Sequence, residues 1–183
     1  MTIRELDEDD TDAFLALKQR GLLTDPDAFV ATLEDDPPSY PDLVRDRLAR
    51  ASVDAGDVVL GAFGSDLVGI VAITRDARRK RHHKADLHGM YVRPEYRGRG
   101  IGQQLLARSL AMARGMRGLE EIQLIVAAHN RQVVALYERF GFVHVWTELR
   151  ALWRGDHYVD AHHMIMSVTG EGRGHGNEGD LGS

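Results

Sequence analysis

The stretch that decides the fold reads Val92-Arg93-Pro94-Glu95-Tyr96-Arg97-Gly98-Arg99-Gly100-Ile101-Gly102. Residues 85–92 have the pattern of a β-strand, which Pro94 ends, and from Ile101 the apolar residues recur with the period of a helix. The segment that joins the end of the strand to the start of the helix therefore holds three glycines, with Arg97 and Arg99 beside them. This strand–turn–helix unit constrains how the remaining segments can be arranged.

The turn has the chemistry of an anion site. The first turn of a helix carries unpaired N–H groups and the positive end of the helix dipole, and glycines let a ligand approach that backbone closely. Arg97 and Arg99 add positive charge, so the segment predicts a pyrophosphate site, with an ordinary tight turn as the alternative. Gly98, Gly100 and Gly102 do not match the dinucleotide fingerprint, and no Lys-Ser or Lys-Thr follows to make a Walker loop.

The segments around this turn predict a mixed sheet. Residues 101–117 form an amphipathic helix, and the apolar run 122–127 is typical of a buried central strand. With strand 85–92 they make a βαβ unit, whose strands should be parallel and whose crossover should be right-handed. The other predicted strands are 2–6, 58–63, 67–74, 143–152 and 158–168, and the other predicted helical stretches are 11–18 with a resumption over 22–33, 40–50 and 131–140.

The composition suits a single domain that has no cysteine side chain. The chain has 183 residues, 43% of them hydrophobic, and no cysteine, which excludes disulfides, thiolate zinc sites and a cysteine nucleophile. Residues 1–169 are predicted to form the domain. The tail 170–183 holds six glycines and is predicted to be disordered, because it has little apolar surface to offset its ordering entropy.

Charge and hydropathy limit the partners. The net charge of −5 argues against a nucleic-acid partner, although the basic run from Arg78 to Lys84 could contact phosphates and is otherwise a solvated loop. No stretch reaches the roughly 18 apolar residues of a membrane span, and the residues after Met1 lack an apolar signal region. A cytoplasmic location without a membrane partner is therefore expected.

Two parts of the chain resemble motifs of the GNAT acetyltransferases. The segment from Arg97 to Gly102 looks like the signature Q/R-x-x-G-x-G/A, and Gly89-Met90-Tyr91-Val92 looks like that family's fourth strand. Asn130 and Leu136-Tyr137-Glu138-Arg139-Phe140-Gly141-Phe142 resemble its second motif, N…LY…GF. The resemblance covers about residues 1–168, the first half by element order alone. It implies a layered α/β fold with a mixed central sheet of about seven strands and helices on both faces.

The resemblance also implies acetyl-CoA as co-substrate, bound without a metal. The backbone of Met90 to Val92 would pair with the pantetheine arm, and a backbone N–H near Met90 would stabilise the oxyanion. The amides of Gly98 to Gly102, with Gln103, would hold the pyrophosphate. Neighbouring strands would part below this point to admit the thioester. Asn130 would contact the pantetheine as well as cap its helix.

The implied reaction is direct attack of a neutral primary amine on the thioester in a ternary complex. An amine with a pKa of about 10.4 is only about 0.04% neutral at pH 7, so a base is needed. Two candidates lie on one face of the fourth strand: Asp86, where some histone-type members carry glutamate, and His88, where an arylalkylamine-type member carries histidine. Tyr137 looks like the tyrosine that protonates the leaving thiolate. The structural alternatives are a strand-start carboxylate, a packing histidine and a core aromatic.

The resemblance implies a small-molecule or peptide amine as the acceptor, and Tyr158, Asp160 and His162 are candidates to line its pocket. The adjacent histidine pairs 82–83 and 162–163 lack the spacing of metal ligands, so no metal site is expected. Exposed strand edges in such folds often pair with those of a second copy, so a homodimer is one expected form of the protein. The alternative to an enzyme is a non-catalytic acyl-CoA-binding sensor or regulatory module, which the predicted catalytic set disfavours.

Overall fold

The computed structural model describes residues 1–26, 29 and 40–169. Within them, seven strands form one sheet in the order β1-β2-β3-β4-β5-β7-β6. The strands are β1 (Thr2–Glu5), β2 (Asp57–Phe63), β3 (Leu67–Arg75), β4 (Lys84–Val92), β5 (Glu121–Ala127), β6 (Val143–Trp153) and β7 (Tyr158–Ser167), and the helices are α1 (Thr11–Thr24), α2 (Pro41–Arg50), α3 (Ile101–Ala113) and α4 (Arg131–Arg139). The β4–β5 pair is parallel and the other pairs are antiparallel, so the predicted mixed sheet is confirmed.

Helices cover both faces of the sheet, as predicted. Successive side chains of a strand point to opposite faces, and β2 is buried at consecutive positions because both faces are packed. Val58 and Leu60 lie in the core that includes α3 and α4, whereas Val59 lies in the core that includes α1 and α2. The sheet therefore separates two apolar cores.

The parallel strands β4 and β5 stay together for only a short distance. Their paired positions are Lys84 with Glu121, Ala85 with Ile122 and Asp86 with Gln123. Beyond Gln123, β5 continues to pair with β7 but no longer with β4. We call the opening between the two strands beyond the pair Asp86–Gln123 the fork.

On its other side, β4 carries a β-bulge. Ile70 and Ala72 of β3 are two residues apart, but their partners Tyr91 and His88 are three apart. The extra residue is accommodated at Gly89, whose φ of 63° lies in the left-handed region that favours glycine. The bulge lies beyond Asp86 and His88, which therefore share a face as expected.

The helix boundaries differ from the sequence prediction in two places. α1 is continuous to Thr24, so Leu22 belongs to it and not to a resumed helix. Gly21 lies within α1, and Phe29 packs so closely against it that an added Cβ would lie 2.7 Å from the Phe29 ring. α3 ends at Ala113 instead of residue 117, since the chain turns at Gly115, whose N–H donates to the carbonyl of Met112.

Two predictions fall on other parts of the chain. The predicted continuation of the helical stretch through Val30 and Leu33 and the predicted disorder of residues 170–183 both concern residues outside the described ranges. Among the residues that are described, no helix is long and apolar enough to cross a membrane.

Candidate active site

A cleft of about 570 Å³ lies in the fork and continues to the start of α3 and one side of α4. It brings together most of the residues that the sequence singles out. Those that line it are His88, Met90, Tyr91, Val92, Arg97, Gly98, Gly100, Gly102, Gln103, Asn130 and Tyr137. Asp86 and Arg99 do not line it. The cleft therefore joins the glycine turn, the β4 backbone and two candidate proton-transfer groups in one space.

The glycine turn presents backbone to the cleft. Gly98 and Gly100 have φ values of 73° and 75°, a conformation that residues with a Cβ rarely adopt. Gly100 directly precedes α3, and no side chain in the described part of the chain caps the first turn of that helix. A Cβ on Gly98 would meet nothing within 4 Å, so the space beside the turn is open. The first-turn N–H groups of α3 can therefore receive an anion.

The two arginines of the turn have different surroundings. Arg97 Nε donates to the carbonyl oxygen of Val92 at 2.9 Å, and its guanidinium forms an ion pair with Asp25. Arg97 thus ties the turn to the end of β4. Arg99 instead donates to the carbonyl oxygen of Glu95 at 3.2 Å, outside the cleft lining. Of the two positive charges, only that of Arg97 lies at the cleft.

The β4 segment after the bulge turns alternate side chains to opposite cores. Met90 and Val92 pack with the α3 side, whereas Tyr91 is buried on the α1 side, with its hydroxyl 2.9 Å from Thr24 Oγ1. Because β5 has left β4 here, the backbone of this segment that faces the fork pairs with no strand among the described residues. It is available to an extended ligand in the fork.

Tyr137 and Asn130 come from α4 and the residue before it. The Tyr137 ring is 5% exposed and packs edge-on to Phe142, and its hydroxyl lies 3.5 Å from Met90 Sδ. Burial raises the pKa of Tyr137, so the phenol keeps its proton at neutral pH. Asn130 caps α4 through Oδ1, which accepts from Val133 N at 3.3 Å. Asn130 also lines the cleft.

His88 lies on the α1–α2 face of the sheet, at the cleft. Its Nε2 is 2.9 Å from Thr74 Oγ1. Part of the His88 side chain is open to solvent. Desolvation by the surrounding protein and the nearby charge of Arg47 nevertheless lower the pKa of His88 to about 4. The carboxylates of Asp57 and Asp86 oppose this shift. The imidazole is therefore neutral at pH 7.

Asp86 forms a hydrogen bond between two strands of the sheet. Its Oδ1 accepts from Gln123 Nε2 at 2.7 Å, across the last paired position of β4 and β5. The side chain is outside the cleft lining. Its surroundings therefore correspond to the strand-start carboxylate that was the structural alternative to a base.

The side chains proposed for the acceptor pocket lie elsewhere. Tyr158 packs against Trp153, Asp160 Oδ1 accepts from the backbone N–H of Arg150, and His162 Nδ1 is 2.9 Å from Thr147 Oγ1. None of the three lines the cleft.

The basic run is largely engaged with carboxylates. Arg78 and Arg81 both donate to Asp76, and their hydrogen bonds hold the pKa of that carboxyl well below its usual range. Lys84 pairs with Glu121. Less of the positive charge is then free for phosphates. Within the described residues, no group of three or more histidine, aspartate or glutamate side chains is placed to hold a metal ion.

Three residues next to His88 have no signal in the sequence. Arg47 donates to both oxygens of Asp57 at 2.8 and 2.9 Å, and the Thr74 hydroxyl donates to Asp57 Oδ1 at 2.8 Å. They come from α2, β2 and β3, and no short motif joins them. Only the pairing of β3 with β4 brings Thr74 beside His88.

Comparison with known proteins places this geometry in a family. A family model described as the acetyltransferase (GNAT) family matches residues 20–142. A mycothiol acetyltransferase from Propionibacterium freudenreichii is 30% identical over 143 residues, which are 78% of this chain and 43% of that relative, so the chain spans less than half its length. A GNAT-family acetyltransferase from Streptococcus pneumoniae has a TM-score of 0.79 at 27% identity, over 91% of this chain and 98% of its own. A putative acetyltransferase from Salmonella typhimurium, solved with its cofactor acetyl-CoA, shares the fold with a TM-score of 0.77 at 19% identity, over 93% of this chain and 95% of its own. The chain belongs to the acetyltransferase (GNAT) family.

Proposed function

We propose that the protein transfers an acetyl group from acetyl-CoA to a primary amine by direct attack in a ternary complex. The observation that carries this proposal is that the glycine turn, His88 and Tyr137 line the same cleft. Membership of the family and the acetyl-CoA in the Salmonella structure support the choice of donor. The acceptor is a small-molecule or peptide amine.

The donor would bind along backbone. The amides from Gly98 to Gly102, in the turn and at the start of α3, would hold the pyrophosphate together with Gln103, and Arg97 would add charge. The pantetheine arm would lie in the fork along Met90 to Val92, whose fork-facing backbone is left unpaired by the described strands. Asn130 would contact the arm from the α4 side. The thioester would then lie between His88 and Tyr137.

The chemistry needs one proton acceptor and one donor. Neutral His88 would take the proton that the charged amine must lose before its nitrogen can attack the acetyl carbon, and the nitrogen would release its second proton to solvent from the tetrahedral intermediate. A β4 backbone N–H near Met90 would stabilise the oxyanion. Collapse of the tetrahedral intermediate breaks the carbon–sulfur bond, and Tyr137, which burial keeps protonated, would give its proton to the thiolate. The products are the acetamide and free CoA.

A non-catalytic acyl-CoA sensor is the alternative. It needs the donor half of the cleft but neither His88 nor Tyr137. The presence of both groups at the same cleft favours the enzyme, whereas the absence of Tyr158, Asp160 and His162 from the lining leaves the acceptor half without its expected side chains.

The test is a turnover assay with chelator-treated protein. Acetyl-CoA is offered with a panel of small amines, polyamines and peptides, and released thiol is measured together with binding by calorimetry. Thiol release that depends on the amine supports the proposal. Binding at one site without turnover of any amine would favour the sensor, and no binding would remove both.

A further inference from the structure

We propose that Thr74 is a positioning residue that holds His88 in one tautomer. In this arrangement Nε2 carries the proton and Nδ1 keeps the lone pair, with Asp57 and Arg47 fixing the threonine hydroxyl from behind. The tautomer is a property of the resting protein, and its catalytic meaning rests on the proposed function. The argument comes from which atom must donate in each hydrogen bond.

Asp57 is an ionised acceptor. Burial alone would raise its pKa, but the hydrogen bonds from Arg47 and Thr74 outweigh burial and hold the pKa below its usual range. An ionised carboxylate only accepts hydrogen bonds, and a hydroxyl has a single proton. Thr74 therefore donates that proton to Asp57 Oδ1, at 2.8 Å.

With its proton committed to Asp57, the Thr74 oxygen can only accept from its other neighbours. One of these is Arg47 Nη2 at 3.1 Å, which always donates, and the other is His88 Nε2 at 2.9 Å. Nε2 must therefore carry the ring proton. Since the ring is neutral and has one N–H, Nδ1 has the free lone pair. Nδ1 is then the atom that accepts the proton of the amine.

Charges around His88 determine how stable its protonated ring is. Arg47 on α2 and Lys18 on α1 disfavour the imidazolium, whereas Asp57 on β2 and Asp86 on β4 favour it. Thr74 puts one hydroxyl between the ring and the Asp57 carboxylate. Because this link orients the ring but shares little charge with it, we expect its loss to cost about tenfold in turnover, the size of one net hydrogen bond.

The decisive experiment measures the tautomer directly. Nitrogen-15 NMR of the His88 ring distinguishes an Nε2–H from an Nδ1–H tautomer in the full chain at pH 7. The expected signature is Nε2–H in the wild type and in Thr74→Ser, which keeps the hydroxyl. Thr74→Val keeps the shape but not the hydroxyl, and should give a mixture of tautomers. An Nδ1–H signature in the wild type would overturn the proposal, whether or not any amine is turned over.

Kinetics test the catalytic consequence. Thr74→Val should lower kcat about tenfold with little change in the KM of acetyl-CoA, and Thr74→Ser should restore most of it. Thr147→Val is the matched control, because Thr147 also contacts histidines, His144 and His162, but outside the cleft lining; its kcat should not change. Equal losses in Thr74→Val and Thr74→Ser, at unchanged urea midpoints, would show that the hydroxyl positions nothing.

Discussion

At one end of the cleft the lining is mostly backbone, whereas at the other end the lining residue His88 is held by side chains that lie behind it. The end at α3 consists of Gly98 to Gly102 and the last residues of β4, all within one short stretch. The other end joins His88 to Thr74, Asp57 and Arg47, which come from four separate elements. Backbone sites depend on φ angles and free space, whereas side-chain sites depend on each functional group. The two ends should therefore fail under different kinds of substitution.

The largest effect is expected from Gly100→Glu, which attacks the backbone end. The φ of 75° strains any residue with a Cβ, and the new carboxylate would repel an anion at the start of α3. Affinity for acetyl-CoA should fall at least about 100-fold by calorimetry. Gly118→Glu is the control, because Gly118 has a φ of 76° with open space but lies at the other end of α3 and should leave binding unchanged. Undiminished binding in Gly100→Glu would refute the pyrophosphate site.

A second effect should separate binding from chemistry at Tyr137. Tyr137→Phe keeps the packing on Phe142 but removes the hydroxyl. If that hydroxyl protonates the thiolate, kcat should fall roughly 100-fold or more, while the affinity for acetyl-CoA changes little, because the interaction strengthens mainly in the transition state. Steady-state kinetics and calorimetry on the same preparation check this. An unchanged kcat would leave Tyr137 as a packing residue.

The next substitution, His88→Ala, should have an effect that depends on pH. His88 is neutral well above its pKa of about 4, so it can act as a base at pH 7, where almost all of the amine is charged. The loss in turnover should be about 100-fold at pH 7 and smaller near pH 10, where much of the amine is already neutral. A loss that is the same at both pH values would indicate positioning only. Asp86→Asn should change turnover less than about threefold, because Asp86 lies outside the cleft.

The smallest effect concerns stability at the side-chain end. The pKa of His88 is about 4 in the folded protein against 6.5 for a free ring, so between these values the unfolded chain binds a proton that the folded protein does not. The free energy of unfolding should therefore be constant in this respect above pH 6.5 and fall as the pH drops towards 4. Urea midpoints at pH 7 and pH 5 should fall less in His88→Gln than in the wild type. An equal fall would show that another group is responsible.

The backbone end could be predicted from sequence because its information is local. The change from strand to helix period around the glycine turn fixes β4, α3 and β5, and Gly141 with its φ of 94° ends α4 where the motif requires. At the side-chain end, His88 could be named from the sequence, but its contacts with Thr74, Asp57 and Arg47 could not be predicted. Its contacts depend on the register between β3 and β4, and the bulge at Gly89 that sets this register leaves no periodic trace. Asp86 and His88 looked equivalent from their spacing, and only the partner strands distinguish them.

The fork also has a mechanical meaning. Three residue pairs join β4 to β5, whereas four join β1 to β2 and seven join β5 to β7, so β4–β5 has the fewest paired positions in the described sheet. A force that pulls apart the strands on either side of the fork would act most strongly on the last paired position, Asp86–Gln123. The hydrogen bond from Gln123 to Asp86 spans that position. Asp86 therefore lies where it resists tearing of the sheet, and its removal should lower the force at which the two halves separate.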